Sequence, residues 1–518
     1  MEEKSQVEKK SAWSALLKTE DWLAVWLAFF IIAVILVCFA WKVIDLKKLV
    51  PTFAWTTDGQ IERRADKWIE AAEYIRKEVE AKGEMGTVKR LDELKEALAT
   101  KDRVAIEKAG RRLEALGRDT MAGALGRTVY ERARAYPSKV FNWENFSKII
   151  SVFIAYLIFA AIGLKLMGGV QLGKFIPGFA VVFLIALVSR ILAGNALPLD
   201  WGVEYILFAL GIGLFLSNVF RLPEWLMNAV RTEYYIKTGL VMLGSGILFF
   251  EILQLGYLGI LQACLVIITV WYFCYWFATK VLKVDGEFAA ILSSAVSICG
   301  VSAAIATCGA VQGDKKKLSY TATLVIACAV PMLLLLPWII KTFNIDHVVG
   351  GAWIGGTIDT SAAVVGAGAL VSDRAMVSAT VVKFTNNAFI GIAAFVIAVW
   401  WAFRKGAETG EKPTPKIIWD RFPKFVLGFL AASFVFSFLL HPDVIAGTRS
   451  AIAELRIWWF AMAFASIGLE ARLVEMVKMG HGRPALAFLV AQTFNVLWVL
   501  LIAHLLFGGY IFPKPEVR

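Results

Sequence analysis

Lys383 stands where a charge is least expected, about a turn and a half into the apolar run Ala379–Phe403 and followed by Thr385, Asn386 and Asn387. An ionisable group at the centre of a membrane helix costs roughly 2.5–3.5 kcal/mol on insertion scales, and such residues mark ion or substrate pathways. Positions 383, 386 and 387 share one helix face, so a cation and two amides aim together. Snorkelling to the surface is the alternative for the lysine, but it would carry both asparagines along at further cost.

Two polar, small-residue segments precede it. The first is Ser297-Ile298-Cys299-Gly300-Val301-Ser302; the second is Gly355-Gly356-Thr357-Ile358-Asp359-Thr360-Ser361. Broken helices of this kind present half-helix N-termini and free amides, whose partial positive charge suits anions. Glycine allows close backbone approach and the hydroxyls donate; tight packing through small residues is the alternative. The expected substrate-binding set is Ser297, Cys299, Gly300, Ser302, Thr357, Thr360, Ser361, Lys383, Asn386 and Asn387. Asp359 is the expected ion-coupling residue and the natural partner of Lys383, in a pair that opens when an anion or proton arrives. Gln492 and Asn495, one helical turn apart in the last apolar run, read as a packing hydrogen bond. Glu251, Arg472 and Glu475, near the ends of apolar runs, read as interface markers.

The elements that must position these residues are membrane spans. Hydrophobic residues make up 58% of the 518, with a mean hydropathy of +0.65, more apolar surface than a water-soluble protein of this size buries. Apolar runs near 20 residues, enough for a ~30 Å hydrocarbon core, lie at about 22–41, 148–167, 175–194, 203–220, 236–251, 257–281, 318–340, 378–403, 424–440, 456–470 and 484–508. The first follows a charged leader with no small-residue cleavage site and reads as a retained signal anchor within 1–41. Stretches 288–312 and 348–371 are rich in Gly, Ala, Ser and Thr, which suits segments that break at mid-membrane. The expected class is an all-α membrane protein of about 11–13 transmembrane segments.

Internal similarity adds an architecture. Ser302-Ala303-Ala304-Ile305, ending at Gly309-Ala310, recurs as Ser361-Ala362-Ala363-Val364, ending at Gly368-Ala369. Thr321–Val325 recurs as Ser378–Val382, and Gly244, Glu251 and Gly256 share their spacing with Gly468, Glu475 and Gly480. If 288–312 and 348–371 each enter and leave on one side, Lys315, Lys316 and Lys317 fall inside with the N-terminus, as the positive-inside rule prefers. The repeats of the 148–510 core are then inverted, with two re-entrant segments facing each other from opposite sides. Stretch 42–147 reads as two or three amphipathic helices over Ala65–Val79, Leu91–Leu98 and Val104–Leu116, forming an extracytoplasmic cap. That cap stabilises the fold or joins copies of the chain into homo-oligomers; presenting substrate is the alternative.

The net charge of +12 lies beside the spans, so membrane topology accounts for it better than nucleic acid. The six cysteines fall in apolar runs, and neither they nor the four histidines show metal-ligand spacing, so no metal or cofactor is expected. No nucleophile elbow, phosphate loop or paired-acid motif argues for catalysis or for ATP as the driving force.

The string SICGVSAAIAT with its Lys-rich turn, the GTID…AAVVGAGA segment, the following VVKFT and the later ASIGLEARL together resemble the YeiH-type family of proposed sulfate exporters, over roughly 150–510. The resemblance implies an inner-membrane transporter of inorganic or sulfonate-type anions. Where that family has His-Glu at the second tip, this chain has Asp359-Thr360; where it has an arginine three residues past the lysine, this chain has Asn386. Loss of a bidentate oxyanion clamp shifts the expectation toward a monovalent anion. The expected function is therefore secondary active transport of a small anion, sulfate- or sulfonate-like by resemblance, coupled to H⁺ or Na⁺ by alternating access. A passive anion channel, or a membrane-anchored sensor or assembly protein acting through the 42–147 cap, are the alternatives.

Overall fold

The computed structural model describes residues 19–42, 46, 50–117, 120–167, 171–200, 203–405, 416–471 and 482–517. Arg472, Glu475 and Gly480 lie outside them. Among the described residues the regular structure is helical, with a single isolated β-bridge between Trp55 and Asn195. The chain divides into two compact units, one from 48–156 and 187–208, the other from 1–47, 157–186 and 209–518.

The smaller unit holds four amphipathic helices after the first apolar helix, α1 (Glu20–Ala40): α2 (Asp58–Ala81), α3 (Met85–Thr100), α4 (Arg103–Glu114) and α5 (Met121–Ala133). Their starts follow capping chemistry: Thr57 and Gln60 form a capping box, Asp102 accepts from the Val104 amide and Thr120 from Gly123. Leu91, Leu94, Leu98, Ile106, Leu113 and Val129 close one apolar core, and buried Arg103 reaches Asp58 at 2.7 Å and the Ala133 carbonyl at 2.7 Å. The expected two or three helices are thus four. The fourth was hidden because α4 and α5 meet through small residues: a Cβ on Gly110 would lie 2.9 Å from the Tyr130 nitrogen, and the stripe α5 buries, Ala122, Gly126, Val129 and Ala133, is only weakly apolar.

The larger unit carries the apolar helices. After α1 come α6 (Trp143–Met167), α7 (Leu172–Ala193), α8 (Tyr205–Val219), α9 (Thr232–Gly244) and α10 (Phe249–Trp276), the first three beginning or ending in the smaller unit. Among the described residues eight helices are long and apolar enough to cross a membrane. Three of the eleven expected spans are shorter: α8, α9 and the helix α18 (Lys424–Phe434), which a π-helical turn prolongs to Leu439. At the end of α9, Gly244 abuts the α18 backbone at Phe429.

The two small-residue stretches are helical hairpins. In the first, α11 (Gly286–Ser294) and a π-helical turn (Ala295–Cys299) run to Gly300, and α12 (Val301–Ala310) runs back. Its ends meet: the Asp314 amide donates to Glu287 at 2.7 Å, and Lys317 reaches Asp285 at 3.1 Å. Then α13 (Lys315–Thr342), 28 residues and so about 42 Å long, leads away. The second hairpin, α14 (His347–Thr357) and α15 (Ser361–Val371), hangs from the far end of α13. Both its ends lie against the first turns of α16 (Asp373–Ala388): the Ser378 hydroxyl donates to the Val348 carbonyl, and Gly368 packs on Met376. The hairpins therefore open at opposite ends of α13 and point at each other, the inverted arrangement expected. The chain continues through α17 (Ile390–Lys405), α18, α19 (Pro442–Glu470) and α20 (Arg483–Phe507).

Candidate functional site

The two hairpin tips touch. Gly300 has φ of +64°, a backbone open to glycine, and a Cβ there would sit 2.7 Å from Val325 and 3.1 Å from the Asp359 Cβ. Closeness at this crossing, and not flexibility, is what the glycine supplies.

Each tip offers a helix end of either sign. On one side the first half-helices finish in carbonyls. Lys383 Nζ donates to Ile298 O at 3.1 Å and to Ile358 O at 2.9 Å, bridging both tips from α16. From α20, Asn495 donates to the Val296 and Thr357 carbonyls at 3.3 Å each, and Gln492 to Thr357 O at 3.1 Å. A helix C-terminus carries about half a negative charge, so two of them match one ammonium. Lys383, 2% exposed, is thereby a counter-ion built into the chain.

On the other side the second half-helices begin. Ala304 bonds back to Gly300, Ala363 to the Thr360 hydroxyl and Val364 to the Thr360 carbonyl, while the earlier amides of α12 and α15 have no partner within their own helices. Cys299, Ser302, Thr360, Ser361 and Asn387 line a cavity of about 940 Å³ at these starts. Asn387, 4% exposed, donates to the Ser361 hydroxyl at 3.2 Å and keeps its Oδ1 without a partner. The site presents hydroxyls, an amide and two positive helix ends to whatever enters.

Not every expected residue faces that cavity. The Ser297 hydroxyl donates to Ser293 O at 2.7 Å and is turned into its own helix. Thr357 contributes its carbonyl on the carbonyl side, its hydroxyl unpartnered. Asn386 is buried with both amide atoms unpartnered. The expected Lys383–Asp359 ion pair is absent: the ammonium is spent on the two carbonyls, and Asp359 Oδ2, in a side chain 2% exposed, has no hydrogen-bond partner. Carbonyls won because a helix break leaves them orphaned at the very depth where the lysine enters. Gln492 and Asn495, read as a packing hydrogen bond, pack α20 on the tips through the Thr357 and Val296 carbonyls.

A second group was missed. Lys237 lines the same cavity and reaches Glu20 at 2.8 Å, Asp21 at 2.9 Å and Glu233 at 3.6 Å, while the Lys424 amide donates to Asp21 at 2.9 Å. These contacts tie the start of α1 to α9 and α18 at the cavity rim. The i,i+4 pair Glu233/Lys237 is the signal that could have found them. Among the described residues no cluster of three or more His, Cys, Asp or Glu could hold a metal ion.

Residues 177–487 match the family described as conserved hypothetical protein 698. Similar proteins include a UPF0324 membrane protein of Rhodopirellula baltica, 37% identical over 71% of this chain and 68% of its own length. Another, of Nitratidesulfovibrio vulgaris, is 34% identical over 73% of this chain and 66% of its own. The UPF0324 membrane protein TauZ of Paracoccus denitrificans is 27% identical over 64% of this chain and 95% of its own. The chain thus spans about two thirds of the length of the first two. No solved structure matches it.

Proposed function

The chain belongs to the UPF0324 family of multi-pass membrane proteins, and from that premise we propose that it is a secondary transporter of a small anion working by alternating access. One observation carries the reading. Two half-helix N-termini from opposed hairpins start at a common cavity lined by Ser302, Thr360, Ser361 and Asn387, with the opposite helix ends already neutralised by Lys383. Positive helix ends with hydroxyl donors bind anions. Two of them supply about one charge, which suits a monovalent anion, while Lys237, Lys416, Arg421 and Lys424 line the same cavity and draw anions toward it. Inverted hairpins crossing at mid-membrane are the architecture on which rocking transporters turn.

In this proposal the protein lies in a bacterial inner membrane with its N-terminus in the cytoplasm, so that the cavity beside Glu20 faces the cytoplasm and the 42–147 helices are extracytoplasmic. Its work is transport and not catalysis, coupled to H⁺ or Na⁺, with Asp359 as the coupling residue. Purified protein in proteoliposomes, offered chloride, nitrate, methanesulfonate and sulfate under imposed H⁺ or Na⁺ gradients, tests it. Gradient-driven uptake of one of these anions is expected, and failure of every combination sinks the reading.

A further inference from the structure

We propose that one proton on Asp359 accompanies each anion bound, because the ionised carboxylate and the anion compete for the same pair of helix N-termini. The proposal rests on the anion reading above and names its coupling ion.

Placement carries it. Asp359 immediately precedes Thr360, the N-cap of α15, and its Cβ packs on Gly300, the N-cap of α12. It thus stands between the starts of both half-helices that would hold the anion. Its side chain is 2% exposed and Oδ2 has no hydrogen-bond partner. The nearest cation, Lys383, makes no ion pair with it: its ammonium attracts the carboxylate only at a distance, its hydrogen bonds going to the Ile298 and Ile358 carbonyls. An ionised Asp359 is therefore balanced at contact distance by the two helix N-termini, together worth about one positive charge, with Lys383 acting from further off. A second negative charge entering there meets an uncompensated like charge in a low dielectric, which is costly. Protonation removes the conflict: the carboxylate, one residue behind the cavity-lining Thr360, takes H⁺ from the medium, becomes a neutral carboxyl, and leaves both helix ends to the anion.

The titratable groups around Asp359 are Lys383 from α16, Cys299 from the first hairpin and Cys328 from α13, with Glu233 of α9 acting on Lys383 and Cys299. From α20 the facing polar groups are the non-titrating Gln492 and Asn495. Sodium fits less well as the coupling ion. The carbonyls freed by both helix breaks, which it would need as ligands, already accept from Lys383, Gln492 and Asn495. With a monovalent anion the cargo of anion plus proton is neutral, so the membrane potential neither drives nor opposes it.

The test uses the full-length protein in detergent, free of Na⁺, with choline salts of chloride, nitrate, methanesulfonate and sulfate as probes. Affinity is measured across pH in parallel with proton uptake in weak buffer. The expected result is that, above the titration of Asp359, affinity falls about tenfold per pH unit and one proton is taken up per anion bound. Asp359→Asn is expected to bind with no pH dependence and no proton uptake. Wild-type binding that is flat with pH and proton-free overturns the coupling while leaving the anion reading intact, and so does undiminished uptake in Asp359→Asn. No binding of any probe at any pH overturns the anion reading itself. Should Asp359→Asn fail to fold, the wild-type proton count alone decides.

Discussion

Lys383 does for two helix ends what solvent does at a surface. Replacing it by Met keeps the length and removes the donor, leaving the Ile298 and Ile358 carbonyls buried and unpaired at about 1–3 kcal/mol each. The expected outcome for Lys383→Met is a lower unfolding temperature together with loss of uptake, read by thermal unfolding of the purified protein and by proteoliposome flux. A sensor acting through the smaller unit predicts the same loss of stability but no loss of uptake. Thr360→Ala removes the cap of α15, worth about 0.5–2 kcal/mol, and a donor at the cavity. It should weaken anion binding severalfold while sparing proton uptake per anion, both read in the binding titration. At this scale the sequence was informative about which residues and poor about partners. A lysine in an apolar run announces itself by cost, but nothing in its spacing says that the oxygens nearest to it are carbonyls from two other segments and not the carboxylate of Asp359.

At the scale of elements, the hairpins were legible because the same Ser-Ala-Ala string begins both returning half-helices, at Ser302 and Ser361, and because their Gly/Ala content is wrong for a lipid-facing helix. Span length was less legible. Helices α8 and α9 are only 15 and 13 residues, and hydropathy averaged over a window blurs a short helix into the apolar loop beside it. The hairpin geometry has a direct check. Single cysteines at positions 316 and 373, near the two ends of α13, should be labelled from opposite sides of sealed vesicles by an impermeant thiol reagent. Labelling of both from one side would mean that the second hairpin crosses fully. Gly300→Ala tests the crossing: at φ of +64°, with Val325 2.7 Å from the new Cβ, the tips must part. Anion affinity should fall at least tenfold in binding titrations, since both half-helix starts move.

For the whole molecule, the two units have separate cores, and that separation is testable. Leu94 and Leu113 are fully buried in the smaller one. Leu113→Ala should cost that unit about 2–5 kcal/mol, seen as an earlier calorimetric transition, with anion affinity in the larger unit unchanged. The smaller unit's existence was plain from its charge pattern, whereas its fourth helix was not, because the face it buries is made largely of small residues, Ala122, Gly126 and Ala133 beside Val129.

The rim contacts of α1 bear on how the chain is made. Asp21 meets the Lys424 amide across 403 residues of sequence, and Glu20 meets Lys237 across 217. Helix α1 must therefore wait in the bilayer until α18 has been synthesised before its last rim partner arrives. Until α18 inserts, the polar floor made by Ser302, Thr360 and Ser361 lacks that wall, so the interval between those two insertions is the stage at which a nascent chain is most open to misassembly and to membrane proteases.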